Sequence, residues 1–465
     1  VQEIIISADE LIAALLKISE SEQVCLLDSC GVSHLNSKFL LAGIKPLETH
    51  EITDENYEQT LKFFDEKLAN DEVFAFFTLS YEFGLKLNRL KSRHSSDEPD
   101  IFLALFDCLI IHNYDTQKTY LIGNENHFAE IENQLSNSKN HQISQNSQPS
   151  KVSSNFTKAE YLEKVEEIKE FIRQGDTYQT NLTQQITAEL PENLTPQQIF
   201  YNLRKNHPAP FASFIKRQTS TVISASPERF FKVQKGRNPR VSKGVLNSTT
   251  NKSSKFEITT SPIKGTRPRG KTPAEDEKLK TELLESEKDR AENVMIVDLL
   301  RNDIGRICEF GTVEVEKLCD LEEHPTLFHL VSTVNGTLRE KTSISEILKA
   351  VFPCGSITGA PKIRTMQIID QLETKNRGLS MGAIGFLVKS EESKAKSEEI
   401  SDNFSLFTSH FSLDSSVAIR TMTIKNNQAK FNVGGGIVID SDPKSEYEET
   451  LTKAKALLKA INGEF

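Results

Sequence analysis

The chain of 465 residues contains no apolar stretch approaching the roughly 20 residues that a membrane-spanning helix needs. Val1 to Ile6 lacks the basic flank of a signal peptide, which leaves a cytoplasmic protein as the expectation. The six cysteines show no CxxC spacing and sit mostly in apolar runs, as reduced core residues do. The ten histidines form no HExxH or related zinc pattern, so a metal site would have to be built from carboxylates. Basic residues are not in excess: the net charge is −10 with both signs interspersed, which argues against nucleic acid as a partner. There is no internal repeat, and no glycine-rich loop ends in the Lys-Ser/Thr of a nucleotide P-loop.

What is present is a 37% hydrophobic chain, enough for a large core. Ser, Asn, Gln and Lys crowd out apolar residues from about 134 to 155, which reads as a polar linker. It separates strands and helices in 1–133 from a larger domain in 156–465. Two shorter polar tracts, 235–255 and 389–403, read as insertions between strands. Val24 to Leu27, Phe74 to Leu79 and Ile101 to Ile111 read as strands. Lys158 to Gln174 reads as a helix with Thr157 as N-cap and Tyr161, Val165, Ile168 and Ile172 as its stripe. Thr272-Pro273-Ala274-Glu275 is a capping box with proline at the first helical position, opening a helical region to about Asn302. A shorter helix from Pro361 carries Ile363, Met366, Ile369 and Leu372 inward, and a last helix opens at Ser445 with Glu448 closing a capping box. Strands not regularly alternated with helices make the class α+β.

Several residues stand out against that background. Lys264, in Ser261-Pro262-Ile263-Lys264-Gly265-Thr266, follows the strand-like run Phe256 to Thr260 and sits at a strand end. It is either a solvated loop charge or, if desolvated, a nucleophile. Glu446, Glu449 and Lys453 share one face of the last helix, and Asp289 and Glu292 lie three apart on an earlier one. Each set is either a solvated face or half of a magnesium site, since that ion takes one or two carboxylates plus oxygens of an anionic ligand. Gly355 to Lys362 joins a strand to a helix start and offers backbone N–H groups to an anion. Gly434, Gly435 and Gly436 follow the strand Lys430 to Val433 and give either a bulge or tight turn, or a close approach of ligand to backbone. Arg420 shares a strand face with Ala418, Met422 and Ile424, so its charge asks for a carboxylate, from a ligand or a salt bridge. His329 sits among apolar neighbours in Leu327 to Thr333, where a satisfied core histidine is the plain alternative to a catalyst.

Taken in order, GDTYQTNLTQ (175–184), SPERFF (226–231), PIKGTRPRG (262–270), AENVMIVDLLRNDIGR (291–306), HLVSTVNG (329–336), FPCGSITGAPKIR (352–364), IRTM (419–422), GGGIV (434–438) and SEYEET (445–450) resemble the chorismate-utilising enzymes. Within them the chain is similar to the aminodeoxychorismate synthase component I family. The resemblance covers Phe156 to Ile461, with a weaker match at Leu26 to Ser29. It implies two packed antiparallel sheets flanked by helices, as in anthranilate synthase component I, with the N-terminal strands woven into the same body. It implies Mg²⁺ on Glu292 and Glu449, assisted by Glu446 and Asp289, and chorismate bound beside Gly434 to Gly436. Arg420 would hold the enolpyruvyl carboxylate, His329 would help expel or protonate the departing 4-hydroxyl, Ser356 would lie near the substrate, and Lys453 would lie near the metal at the substrate site. Gln179 stands where water-using relatives carry a basic lysine. Lys264 stands where anthranilate synthases carry alanine, and the resemblance implies a covalent adduct on it, leading to 4-amino-4-deoxychorismate and so to 4-aminobenzoate and folate. Cys354 is not in the context of an amidotransferase nucleophile, so ammonia is expected from a separate glutaminase subunit. Ser380 departs from the family, which often has an aromatic residue there.

Overall fold

The computed structural model describes residues 1–32, 34–35, 38–70, 73–139, 148–236, 255–323, 327–389 and 411–464. The tracts expected as insertions, and the middle of the expected linker, lie mostly outside the described residues. Among the described residues the strands form two sheets, one of twelve and one of ten, and every strand pair with a defined register is antiparallel. With the helices this is the α+β class. No helix among the described residues is long and apolar enough to cross a membrane. All six cysteines are unpaired and five are buried.

The chain divides into two compact units: Val1–Glu228 with Pro353–Phe386 and Ser416–Phe465, and Arg229–Phe352 with Leu387–Ser415. The first holds the twelve-stranded sheet, which runs Gln2–Ile4, Lys118–Gly123, Cys108–Asn113, Phe39–Ile44, Val24–Asp28, Phe211–Lys216, Thr221–Ser226, Thr421–Lys425, Gln428–Ile437, Gln179–Glu189, Gly359–Ala360. Lys151–Ser154 also pairs with Gln179–Glu189. The run expected as one strand over 101–111 is two, Ile101–Phe106 and Cys108–Asn113, and the chain changes sheets at Asp107.

Helix Lys158–Arg173 starts at a complete capping box of Thr157 and Glu160 and buries Tyr161, Val165 and Ile168 against Leu182, Ile368, Leu372 and Ile437. Ile172 packs only at its margin. In helix Lys362–Leu372, Met366, Ile369 and Leu372 face inward as expected, but Ile363 is 52% exposed and Ile368 takes the inner position. The last helix begins two residues earlier than expected. Asp442 caps it by accepting from the Ser445 N–H, and Pro443 needs no partner at the first position.

In the second unit, strands Ile263–Pro268, Phe256–Thr260 and Glu314–Glu323 all pair with Leu327–Thr337. The helical region expected from Thr272 breaks at Ser286 into Pro273–Glu285 and Glu287–Gly305. Its capping box forms by half: Thr272 accepts from the Glu275 N–H, while the Glu275 carboxylate accepts from Lys271.

Candidate active site

In the first unit, Gly434, Gly435 and Gly436 lie inside strand Gln428–Ile437, opposite Thr183, Leu182 and Asn181. They are not a turn after a strand; each is bare because something occupies its side-chain position. A Cβ on Gly436 would fall 1.8 Å from Gln179 Nε2. A Cβ on Gly435 would meet Glu446 Oε2 at 3.2 Å, Glu449 Oε1 at 3.5 Å and Lys453 Nζ at 3.7 Å. Helix Pro443–Ala460 therefore brings two carboxylates and a lysine over the sheet at its glycine position. Glu446 is buried and accepts from Ser441 Oγ at 2.7 Å. Lys453 pairs with Glu449 at 2.6 Å and donates to the Gly434 carbonyl at 2.8 Å. The i, i+4 pair exists and both of its side chains are about half exposed, on a face that also reaches the sheet at Gly435.

Arg420 is not in a strand. It lies between Phe411–Val417 and Thr421–Lys425 with φ +49°, so the company expected from strand alternation does not apply. Its partly buried guanidinium makes no ion pair or hydrogen bond with any described residue, and burial lowers its pKa. The nearby His207 imidazole is pushed down by burial, then by the charges of Lys459 and Arg420. A cation left unpaired in a positive neighbourhood is a place for an anion.

Ser356 is buried in the short 3-10 turn Gly355–Ile357, 3.3 Å from the Cys354 thiol. Burial pushes that thiol up to about 12, which makes it inert. The turn is held by a residue to which the sequence drew no attention. Arg377 is 3% exposed and donates to Ile357 O and Asn181 O, both at 2.9 Å. It also pairs with both oxygens of Glu373 at 2.7 and 2.9 Å and lies over the Tyr81 ring at 4.5 Å. Glu373 in turn accepts from the Thr183 N–H and hydroxyl at 2.7 and 2.9 Å. Ser380 does not stand in for an aromatic wall: its hydroxyl accepts from Asn432 N at 3.0 Å and donates to Thr421 O at 3.3 Å.

The Arg377 backbone N–H donates to Glu82 Oε1 at 2.8 Å, while Glu82 Oε2 is buried without a partner. Burial raises the Glu82 carboxyl from 4.5 to about 7, against the opposing pull of the Arg377 N–H. The folded state thus holds a proton that the unfolded chain releases. The associated stability is complete below about pH 4.5 and is lost as pH rises to about 7, a span of about 3 kcal/mol. Glu82→Gln should flatten that decline in denaturant melts taken from pH 5 to 8, and an unchanged slope would contradict it.

In the second unit Lys264 is the second residue of strand Ile263–Pro268, not a loop residue after a strand. Ile263 pairs with Val331 and Thr266 with His329, and the register shifts between them, so Lys264 and Gly265 occupy a bulge. Gly265 has φ +82°, and a Cβ there would meet Leu283 Cδ1 at 2.9 Å and Asp289 Cβ at 3.0 Å. Only glycine fits. His329 is 5% exposed, and its Nδ1 is 2.9 Å from Thr266 Oγ1. That contact fixes the orientation of the ring. Asp289 is engaged by Arg267 Nη2 at 3.1 Å, and Glu292, one turn on, is partly buried. Asn293 fastens this helix to the His329 strand through Ser332 Oγ and Leu330 O. Thr266, Arg267 and Asn293 were legible only as members of motifs, and Arg377 not at all; nothing in their local sequence marks their roles.

No group of three or more His, Cys, Asp and Glu side chains among the described residues could hold a metal by itself. Two carboxylates converging on Gly435 nevertheless suit a hard cation that draws its other oxygens from water and an anionic ligand. Magnesium fits this donor set.

A family profile described as chorismate binding enzyme matches residues 23–396 and 404–459. The chain belongs to this family. Aminodeoxychorismate synthase component 1 of Bacillus subtilis is 34% identical over 397 residues, 82% of this chain and 76% of that protein. The Escherichia coli protein of the same name is 40% identical over 308 residues, 66% of this chain and 59% of its own length. Anthranilate synthase component 1 of Acetivibrio thermocellus is 39% identical over 310 residues, 67% of this chain and 54% of that protein. The chain thus matches little more than half the length of several of these chorismate binding relatives. Among solved structures, anthranilate synthase component I from Streptococcus pneumoniae superposes with a TM-score of 0.72 at 26% identity, over 92% of this chain and 93% of that one. The isochorismate synthase MenF from Escherichia coli shares the fold, with a TM-score of 0.69 at 15% identity, over 99% of this chain and 92% of that one.

Proposed function

We propose that this chorismate binding enzyme is an aminodeoxychorismate synthase component I, converting chorismate and ammonia to 4-amino-4-deoxychorismate and water. The observation that carries the reading is Lys264, set in a bulge of the strand that pairs with the His329 strand. Relatives named for aminodeoxychorismate synthase and for anthranilate synthase match at similar identity. The lysine separates the two, because amination at ring carbon 4 with retention is served by two successive displacements. The Lys264 amine bonds to carbon 2 as the double bond shifts and the C4–O bond breaks. Ammonia then bonds to carbon 4, the double bond shifts back, and the C2–N bond to lysine breaks. His329 delivers the proton that turns the departing hydroxyl into water.

Arg420 takes the enolpyruvyl carboxylate, which supplies the missing counter-charge of its guanidinium. Ser356 and the Gly434 to Gly436 backbone line the substrate. Glu292 and Glu449 would hold magnesium, with Glu446 and Asp289 assisting through water, and the ion would neutralise the ring carboxylate. Ammonia comes from a glutaminase subunit, consistent with relatives named as a first component, or from ammonium. The folate pathway and a cytoplasmic setting follow from the same reading.

One assay decides it. The protein mixed with chorismate, Mg²⁺ and ammonium should yield 4-amino-4-deoxychorismate, identified by mass and chromatography; anthranilate as product would replace this reading by the alternative. Thr266→Val should lower kcat by about tenfold and move the acidic limb of the pH–rate profile, with Thr266→Ser restoring both. A loss of kcat with no change in pH profile would make Thr266 merely structural.

A further inference from the structure

The hairpin that leads to Arg420 on one arm and to Gly434, Gly435 and Gly436 on the other is held open by a side chain. Strands Thr421–Lys425 and Gln428–Ile437 turn at Asn426 and Asn427, both at positive φ. They pair as Lys425 with Gln428, Ile424 with Ala429 and Thr423 with Lys430. Hydrogen-bonded pairs alternate with non-bonded ones in such a ladder, so the next bonded pair would be Thr421 with Asn432, the Asn432 N–H donating to the Thr421 carbonyl. The Ser380 hydroxyl stands in that place. It accepts from the Asn432 N–H at 3.0 Å and donates to the Thr421 carbonyl at 3.3 Å. One direct bond becomes two in series, and the strands part. In a closed ladder Arg420 would lie opposite Val433, with about 4.5–5.5 Å between Cα atoms. Instead each arm follows its other neighbour. Thr421 pairs with Ser224, and the Arg420 carbonyl accepts from the Ala225 N–H at 3.0 Å. The glycines stay paired with Thr183, Leu182 and Asn181.

The wedge is itself fixed. Ser380 is buried in a turn where Gly378 has φ +59° and Met381 has φ +66°. The Gly378 carbonyl accepts from the Tyr81 N–H at 2.8 Å. The Met381 N–H donates to Ala418 O, and the Ala418 N–H to Gly382 O, both at 2.9 Å. A Cβ on Gly382 would fall 2.0 Å from the Leu79 carbonyl oxygen. The turn is thus tied to the segment that enters Arg420 and backed by the strand Phe74–Leu79. We propose that Ser380 is a positioning residue for the substrate, its hydroxyl setting the width of the opening between Arg420 and the glycine strand. That width is the distance from the guanidinium that takes the enolpyruvyl carboxylate to the backbone that lines the ring. Loss of the hydroxyl lets the Asn432 N–H bond Thr421 O directly, which narrows the opening and displaces Arg420. The inference rests on the proposed contacts of Arg420 and the glycines with chorismate, and not on which ring carbon is aminated.

The test follows consumption of chorismate by the full chain with Mg²⁺ and ammonium chloride, and identifies the product separately. Ser380→Ala should raise KM for chorismate about tenfold and change kcat less than about twofold, as loss of binding common to ground and transition states does. Ser380→Thr, which keeps the hydroxyl, should return KM to within about twofold of wild type. Ser380→Cys, whose thiol is a weak donor and acceptor, should fall between the two and gives the readout if the alanine variant does not fold. In an Arg420→Met background the carboxylate has already lost its partner, so Ser380→Ala should raise KM there by less than about twofold. A rise of equal size in both backgrounds, or a lowered melting temperature with KM unchanged, would overturn the inference and make Ser380 a structural bridge only. Wild-type protein that consumes chorismate but yields anthranilate sinks the proposed function alone; wild-type protein that consumes none sinks both.

Discussion

Lys264→Ala is expected to abolish formation of 4-amino-4-deoxychorismate, lowering kcat by at least about a thousandfold, because the covalent route has no other nucleophile. The alanine is sterically undemanding: the position lies in a bulge whose conformation is set by Gly265, so the fold should survive and the melting temperature should change little. That separates loss of chemistry from loss of structure. Two further readouts sharpen it. In the absence of ammonia, wild-type protein incubated with chorismate should accumulate an adduct on the Lys264 peptide with the mass of chorismate less water. The alanine variant should show none, and any residual amination by it should appear as 2-amino-2-deoxyisochorismate, from direct attack at carbon 2, or as anthranilate once that product loses pyruvate. Full 4-amination by the variant would remove the covalent route altogether.

The largest effect on stability is expected at Arg377. Its guanidinium is buried, satisfies both oxygens of Glu373, and reaches the backbone of two separate segments, at Ile357 and Asn181. Arg377→Met strands Glu373 as a buried charge and leaves two carbonyls without donors. Removal of one member of such a pair costs about 3–5 kcal/mol, whereas an exposed pair such as Lys62–Glu66 contributes about 0–1 kcal/mol. Denaturant melts should show that loss, and KM for chorismate should rise because the turn bearing Ser356 loses its anchor. The double variant Arg377→Met/Glu373→Met should be less destabilised than the sum of the single variants, since no unpaired charge remains. Strict additivity, or a loss below about 1 kcal/mol for the single change, would show that the network carries little of the stability.

How much of this was legible beforehand depended on range. The Thr157 and Thr272 caps and the inward stripe of Tyr161, Val165 and Ile168 are local matters of spacing and hydrogen bonding within a few residues. They appeared where the sequence put them. The misses are of two kinds. Boundaries failed where a neighbour competed: Asp442 outbid Ser445 as a cap, and Asp107 let the chain change sheets within one apolar run. Arg420 failed because alternation was applied to residues that are not a strand; its positive φ breaks the period on which that argument rested.

The candidate site divides along the same line. Residue types at motif spacing named Lys264, His329, Arg420, Glu446, Glu449 and Gln179, because those choices are carried in short stretches of sequence. What each side chain does was decided by contacts made across tens to hundreds of positions. Thr266 sets the ring of His329 from 63 residues away, and Arg377 fastens Asn181 from 196. Asp289 is held by Arg267, and the glycines are bare because a carboxylate pair and a glutamine fill the space beside them. The sequence by itself determined the α+β class, the helices and the chemical types at the site. Only the tertiary structure decided which charges are already paired and which acceptors are left over, because hydrogen bonds and burial are satisfied between segments, and a linear pattern records only what each segment offers.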